Sequence, residues 1–280
     1  MKVEQGNALR LGAVALCAFA LVACGGNDDN GGSGASAGGS TGASTGGTSG
    51  GAAPAVVAGT VDAQFMPTTG AARYIAMTDG SFSQGVLGAA TQESNGAFRV
   101  LGKYQADSST QVGAMSGNAT FALGTWIGKI ADASSGADVP SSNGLAYAVY
   151  NQSGTVGPDG VLNCTPRVTS SRNATGAVDT LTGTAGMTIV NGIVTLDLNM
   201  TLKLANGGES PLAYNRTFSD GISGMSYTGA FLTSPVTTFS YGVGVADGAN
   251  DGHVVVVPWK TPSAGGLAQG IAVLECSRPA

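Results

Sequence analysis

Over residues 194–204 every second residue is apolar: Val194, Leu196, Leu198, Met200, Leu202 and Leu204 alternate with Thr195, Asp197, Asn199, Thr201 and Lys203. Successive side chains of a strand point to opposite faces. The pattern therefore predicts a strand over 193–204 with one face in a core and the other in water. Asn191-Gly192 stands just before it, the dipeptide favoured in two-residue hairpin turns because both positions take positive φ. With that pair as the loop, Val190 falls opposite Ile193, Ile189 opposite Val194, Thr188 opposite Thr195 and Met187 opposite Leu196. Apolar meets apolar and threonine meets threonine. A slip of one residue would turn Asp197, Asn199 and Lys203 into the core, so a single register is expected.

The rest of the chain from about Ala55 reads as strands and turns. Phe239, Tyr241, Val243 and Val245 alternate with Ser240, Gly242 and Gly244, and strands are expected over 98–105, 121–130, 145–150, 212–218, 253–258 and 270–276. Turn-rich stretches divide them, such as Ser134-Ser135-Gly136, Gly157-Pro158-Asp159-Gly160 and Asn206-Gly207-Gly208. No segment carries a useful 3.6-residue stripe. The expectation is an all-β chain, with a single antiparallel β-barrel or β-sandwich domain over 56–280. Charged residues make up 10% of the sequence, against about 25% in a typical soluble domain. Ser, Thr, Asn and Gly cover the surface instead, as suits exported β-proteins. Lys+Arg 12 against Asp+Glu 17 leaves no basic stripe, which excludes a phosphate-tracking, nucleic-acid-binding surface.

The first residues carry an address. Lys2 and Arg10 give a weakly positive start, with Glu4 against the trend, and LGAVALCAFALV over 11–22 is an uninterrupted apolar run. Its length is that of a signal-peptide core and too short for a bilayer span, which needs about 20 apolar residues. It ends in Leu21-Val22-Ala23-Cys24, followed by Gly25-Gly26. This tetrad resembles the lipobox of bacterial lipoproteins. The resemblance implies cleavage of 1–23, lipidation of Cys24 with diacylglycerol and usually an N-acyl chain, and attachment to a membrane. More than one chain is needed for durable anchoring, at about 0.8 kcal/mol per buried methylene. Gly25 in place of Asp looks like the class sorted to the outer membrane. The alternative is an ordinary secretory signal cleaved near Ala23, with Cys24 an incidental thiol. Residues 24–55 are Gly, Ser, Thr and Ala with a few Asn, Asp and Pro. Without large apolar residues such a stretch cannot offset its ordering entropy, so it is expected to be a flexible tether with a reach of about 30 Å.

Four cysteines are present. Cys17 leaves with the signal peptide and Cys24 takes the lipid, which leaves Cys164 and Cys276. An even pair in an oxidising compartment reads as a disulfide. Two buried free thiols are the alternative. A metal site is not supported, because two sulfurs and the single histidine cannot complete a tetrahedral zinc shell.

Patterns that usually signal chemistry fail on context. Gly34-Ala35-Ser36-Ala37-Gly38 and Gly42-Ala43-Ser44-Thr45-Gly46 match a serine-hydrolase elbow, but both lie in the tether, where no strand-to-helix turn can expose the serine. His253 is the only histidine, with Asp247 and Asp251 nearby. A triad could be drawn by adding a distant serine, but ordinary Asp-Gly turn chemistry and a strand opening at His253 explain the same residues. That loop also lacks the spacing and bidentate Glu of an EF-hand calcium site. Gly242-Val243-Gly244-Val245-Ala246-Asp247-Gly248 misses the dinucleotide spacing and does not open a helix. The N-x-[S/T] triplets at Asn118, Asn151, Asn173, Asn199 and Asn215 are compositional.

Gly124-Thr125-Trp126 is similar to the G-x-W of lipocalins, although some seventy domain residues precede it here, where the family has it near the first barrel strand. The tether, with Phe218-Ser219-Asp220-Gly221-Ile222-Ser223-Gly224 followed by Ser226-Tyr227-Thr228-Gly229, resembles the layout of surface lipoproteins of the transferrin-binding and factor-H-binding type. That resemblance covers the layout and the last hundred residues, implies a C-terminal barrel, and carries over no binding residue. The expected function is a non-enzymatic, lipid-anchored envelope domain that binds an unknown protein or small-molecule ligand or serves envelope structure. No catalytic residue, cofactor or metal is expected. The rival readings are a lipocalin-like small-ligand barrel and an envelope hydrolase.

Overall fold

The computed structural model describes residues 61–279 except 80, 89, 91, 140–143, 172–179, 220–223, 234 and 264–265. The N-terminal apolar run, Cys24, the tether with its two serine patterns, Asn173 and part of the 218–224 stretch lie outside the described residues. What is described falls within one compact unit, Gly50–Ala280.

The hairpin forms in the register the alternation requires. Val190 faces Ile193, Ile189 Val194, Thr188 Thr195 and Met187 Leu196, and Asn191 and Gly192 take φ of 51° and 75°. Val194, Leu196, Leu198, Met200, Leu202 and Leu204 are all buried, whereas Asp197, Asn199 and Lys203 are exposed. No helix occurs among the described residues, and the three sheets are antiparallel throughout their ladders.

The hairpin belongs to an eight-stranded sheet. Its order is β12 (Glu209–Phe218), β11 (Ile193–Lys203), β10 (Thr180–Val190), β9 (Gly160–Ser171), β16 (Gly266–Ser277), β15 (His253–Ser263), β14 (Ser240–Asp247) and β13 (Met225–Thr228). The sheet curls into a half-barrel that brings its two ends together. Tyr241 of β14 donates its hydroxyl proton to the Ala213 carbonyl of β12. Arg216 of β12 donates to Ser226 Oγ of β13 at 2.6 Å. Side-chain bonds thus bridge a seam where the backbone ladder stops. The concave face encloses the largest core, with residues of β9 to β12 meeting those of β14 to β16.

A five-stranded sheet packs on the convex face, in the order β2 (Phe82–Val86), β1 (Ala72–Met77), β8 (Leu145–Asn151), β6 (Phe121–Ile127) and β5 (Gln111–Asn118). Ile75, Met77, Phe121, Leu123, Ala146 and Ala148 meet Val254, Val256, Ile271 and Val273 across this interface. Its other face packs under a small sheet of β3 (Val100–Leu101), β4 (Tyr104–Ala106) and β7 (Ile130–Asp132). β8 is therefore covered on both sides, and all seven of its residues are buried.

Several expected strands differ in extent. The one read over 98–105 is broken by Gly102 (φ 56°) into β3 and β4. The one read over 121–130 stops at Ile127, where Gly128 (φ 112°) sends the chain into a different sheet. β15 continues past Pro258 to Ser263. A proline has no N–H for the ladder, and the β14 pairing lapses between Tyr241 and Gly244, beside Pro258. In β9 the register against β16 shifts between Val273 and Leu274, opposite Val168 and Pro166, which leaves Arg167 as the extra residue of a bulge.

Candidate functional site

The interior of the curled sheet is the first place to look for a ligand. It is filled by side chains: Leu196, Leu198, Met200, Val243, Val255, Val257, Trp259 and Leu274 are each at most 3% exposed. A lipocalin-like barrel would instead enclose an apolar cavity. The G-x-W residues lie elsewhere, on β6 of the five-stranded sheet. Gly124 faces Tyr147 across the β6–β8 ladder, and any side chain at 124 would collide with the Tyr147 ring. Trp126 is fully buried, packs tilted against Tyr147 with ring centroids 5.7 Å apart and donates its indole proton to the Phe98 carbonyl at 2.8 Å. Burial pushes the Tyr147 hydroxyl pKa far upward. These three residues are core architecture between two sheets.

At one end of the curled sheet four sequence candidates converge. Cys164 and Cys276 stand directly opposite each other on β9 and β16, with sulfurs 1.99 Å apart, a disulfide geometry. His253 follows in the same row, facing Cys276 on one side and Asp247 on the other. It is 3% exposed, and neither ring nitrogen makes a well-formed hydrogen bond among the described residues. Burial lowers its pKa. The Ala246 backbone and Asp247 act against that, while Arg278 adds to it. A hydrolase would need a serine or carboxylate within hydrogen-bond reach of the imidazole; among the described residues neither ring nitrogen bonds to one. Asp251 and Asn250 take positive φ, 58° and 52°, in the tight connection between β14 and β15. Their part is that of a turn. Among the described residues no group of three or more His, Cys, Asp or Glu is placed to hold a metal ion.

Two of the surface clefts formed by the described residues bear on a site. One, of about 290 Å³, lies beside Arg73, Gln84, Tyr150, Gln152 and Met225, and burial raises the Tyr150 pKa to about 12. The other, of about 340 Å³, runs along Ala249, Asn250, His253, Glu275 and Arg278. The first holds one charged side chain, Arg73, and in the second Glu275 is engaged by Arg167 and Asn118 and Arg278 by the carbonyls of Pro158 and Asp159.

Two long-range contacts leave no trace in the sequence. Arg167, thrown outward by the bulge, pairs with Asp62 and Glu275, and Asn118 donates to the other Glu275 oxygen. This clamp holds the start of the described chain against both larger sheets. Arg278 donates to the carbonyls of Pro158 and Asp159.

The Cys164–Cys276 pair leads to a direct test. In denatured, unreduced protein neither cysteine should react with a thiol probe, and both should react after reduction. Two reactive thiols without reductant would show the pair to be open. Losing the bond should cost up to about 4–5 kcal/mol by chain entropy, given a closed loop of over a hundred residues. Comparison of the chain with protein-family models, curated proteins and solved structures finds no match, so its function must be argued from its own residues.

Proposed function

We propose that this chain is a lipoprotein of the bacterial cell envelope, held at the outer membrane by lipid on Cys24, whose β-domain binds a protein or small-molecule ligand or serves envelope structure without catalysis. One observation carries the reading: an apolar run of signal-peptide length ends in Leu21-Val22-Ala23-Cys24 and is followed by a Gly/Ser/Thr stretch. Support comes from the pairing of Cys164 with Cys276 across β9 and β16, which suits an oxidising compartment. Among the described residues neither nitrogen of the His253 imidazole bonds to a serine or carboxylate, which favours a non-catalytic role.

Cys24→Ser should abolish labelling by a palmitate analogue and block normal processing. Unchanged labelling would refute the anchor. The binding role is tested separately, by capture of envelope components on the immobilised full chain and their loss on competition with soluble protein.

A further inference from the structure

Residues 154–159 close the end of the curled sheet where the disulfide sits. Val156 packs against the interior. Gly157 lies over the histidine, so that a Cβ there would stand 3.6 Å from His253 Nε2 and 3.2 Å from the Asp251 carbonyl. The segment is fastened from outside. Arg278 donates to the carbonyls of Pro158 and Asp159, and the Asn191 N–H donates to Asp159 Oδ2 at 3.0 Å.

We propose that residues 154–159 form an acid-released strap: protonation of His253 drives Val156 and Gly157 out of this end and opens the curled sheet beside Cys164 and Cys276. The groups around the imidazole make the direction clear. Asp247 faces it from β14 and would welcome a cation. Arg278, from the segment after β16, opposes one. Asp159 on the strap already accepts from Asn191, and Glu275 on β16 is engaged by Arg167 and Asn118. Asp251 lies in the adjoining turn and presents its carbonyl to Gly157. Cys164 on β9, opposite Cys276, and Ile189 on β10, beside Gly157, add no charge.

A proton on His253 in the closed form is therefore a poorly compensated buried charge. With the strap open, the ring meets water and recovers its ordinary pKa near 6.5. The closed form binds the proton more weakly than the open form, so closure is fully stable above about pH 6.5 and is lost as pH falls toward the depressed pKa. A short segment held by a few hydrogen bonds and one valine opens locally without global unfolding.

Because the chain has one histidine, the test is clean. Hydrogen exchange of the Asn191 amide, whose proton Asp159 on the strap accepts, is measured on the full chain at pH 7.5 and 5.0 and corrected for intrinsic rates. The opening constant should rise by up to about thirtyfold at the lower pH, the limit set by 1.5 pH units below the open-state value. Amides of the 187–196 hairpin other than Asn191 should stay protected. His253→Gln and His253→Leu should each lose this pH-dependent part, and in the wild type the His253 Cε1–H signal should titrate below the ordinary value. The inference is overturned if the strap opens equally at both pH values, if the pH effect survives in either folded variant, or if His253 titrates normally while the strap stays closed. The wild-type titration decides the matter should both variants fail to fold.

Discussion

Leu198→Asp should leave the domain without a cooperative unfolding transition. Leu198 is 1% exposed on β11 and faces the interior of the curled sheet among Leu196, Met200 and Tyr214. The substitution removes a buried leucyl side chain, at about 2–5 kcal/mol. It then leaves either an unpaired carboxylate or a strongly perturbed neutral acid in the same place. The combined loss reaches the whole stability of an ordinary domain, about 5–15 kcal/mol. Thr195→Lys on the opposite face is the companion measurement. Thr195 is half-buried and shares one hydrogen bond, 3.0 Å, with Thr217. Its loss should cost no more than about 1 kcal/mol. Two harmless substitutions, read by thermal unfolding, would place the hairpin outside the folding core.

Trp126→Ala should cost about 3–5 kcal/mol, the range for emptying a buried indole site, and lower the unfolding midpoint by roughly 10 °C for a domain of this size. The indole fills the space between the five-stranded and three-stranded sheets, against Tyr147 and under Phe98. Trp126→Phe keeps most of that volume but strands the Phe98 carbonyl, a cost of about 1–3 kcal/mol. Calorimetry of the two variants separates packing from hydrogen bonding. If neither moved the midpoint, the G-x-W segment would not be part of the core, and a ligand-facing role for it would return.

The contrast between β11 and β8 explains what could be read in advance. β11 has water on one face, so its alternation and register are written in residue type. β8 lies between two cores, with Leu145, Tyr147 and Val149 on one side and Ala146, Ala148 and Tyr150 on the other. It reads as an apolar run whose partners are hidden. β9 shows no period because Pro166 and the Arg167 bulge break it, and β5 none because its register shifts between Gly113 and Ser116; β1, like β8, is buried on both faces, while β2 and β13 carry too few residues to show a period. β15 was cut short at Pro258, although a single proline silences only its own place in the ladder. At the disulfide end, the cysteine pair followed from counting. The cover over His253 did not, since Gly157 and His253 lie far apart in sequence and meet only through folding.

The order of strands in the eight-stranded sheet bears on how the molecule is made. β9 and β16, the first and last strands of that sheet in the chain, sit side by side at its centre. Until β16 is available, β9–β12 and β13–β15 are two separate meanders, each with a long unpaired edge where the other half belongs. Such edges recruit strands from neighbouring molecules, and pairing across so many residues is slow to nucleate. A chain interrupted before β16 is thus a template for aggregation, and productive assembly waits for the C-terminal strand to leave the synthesis machinery.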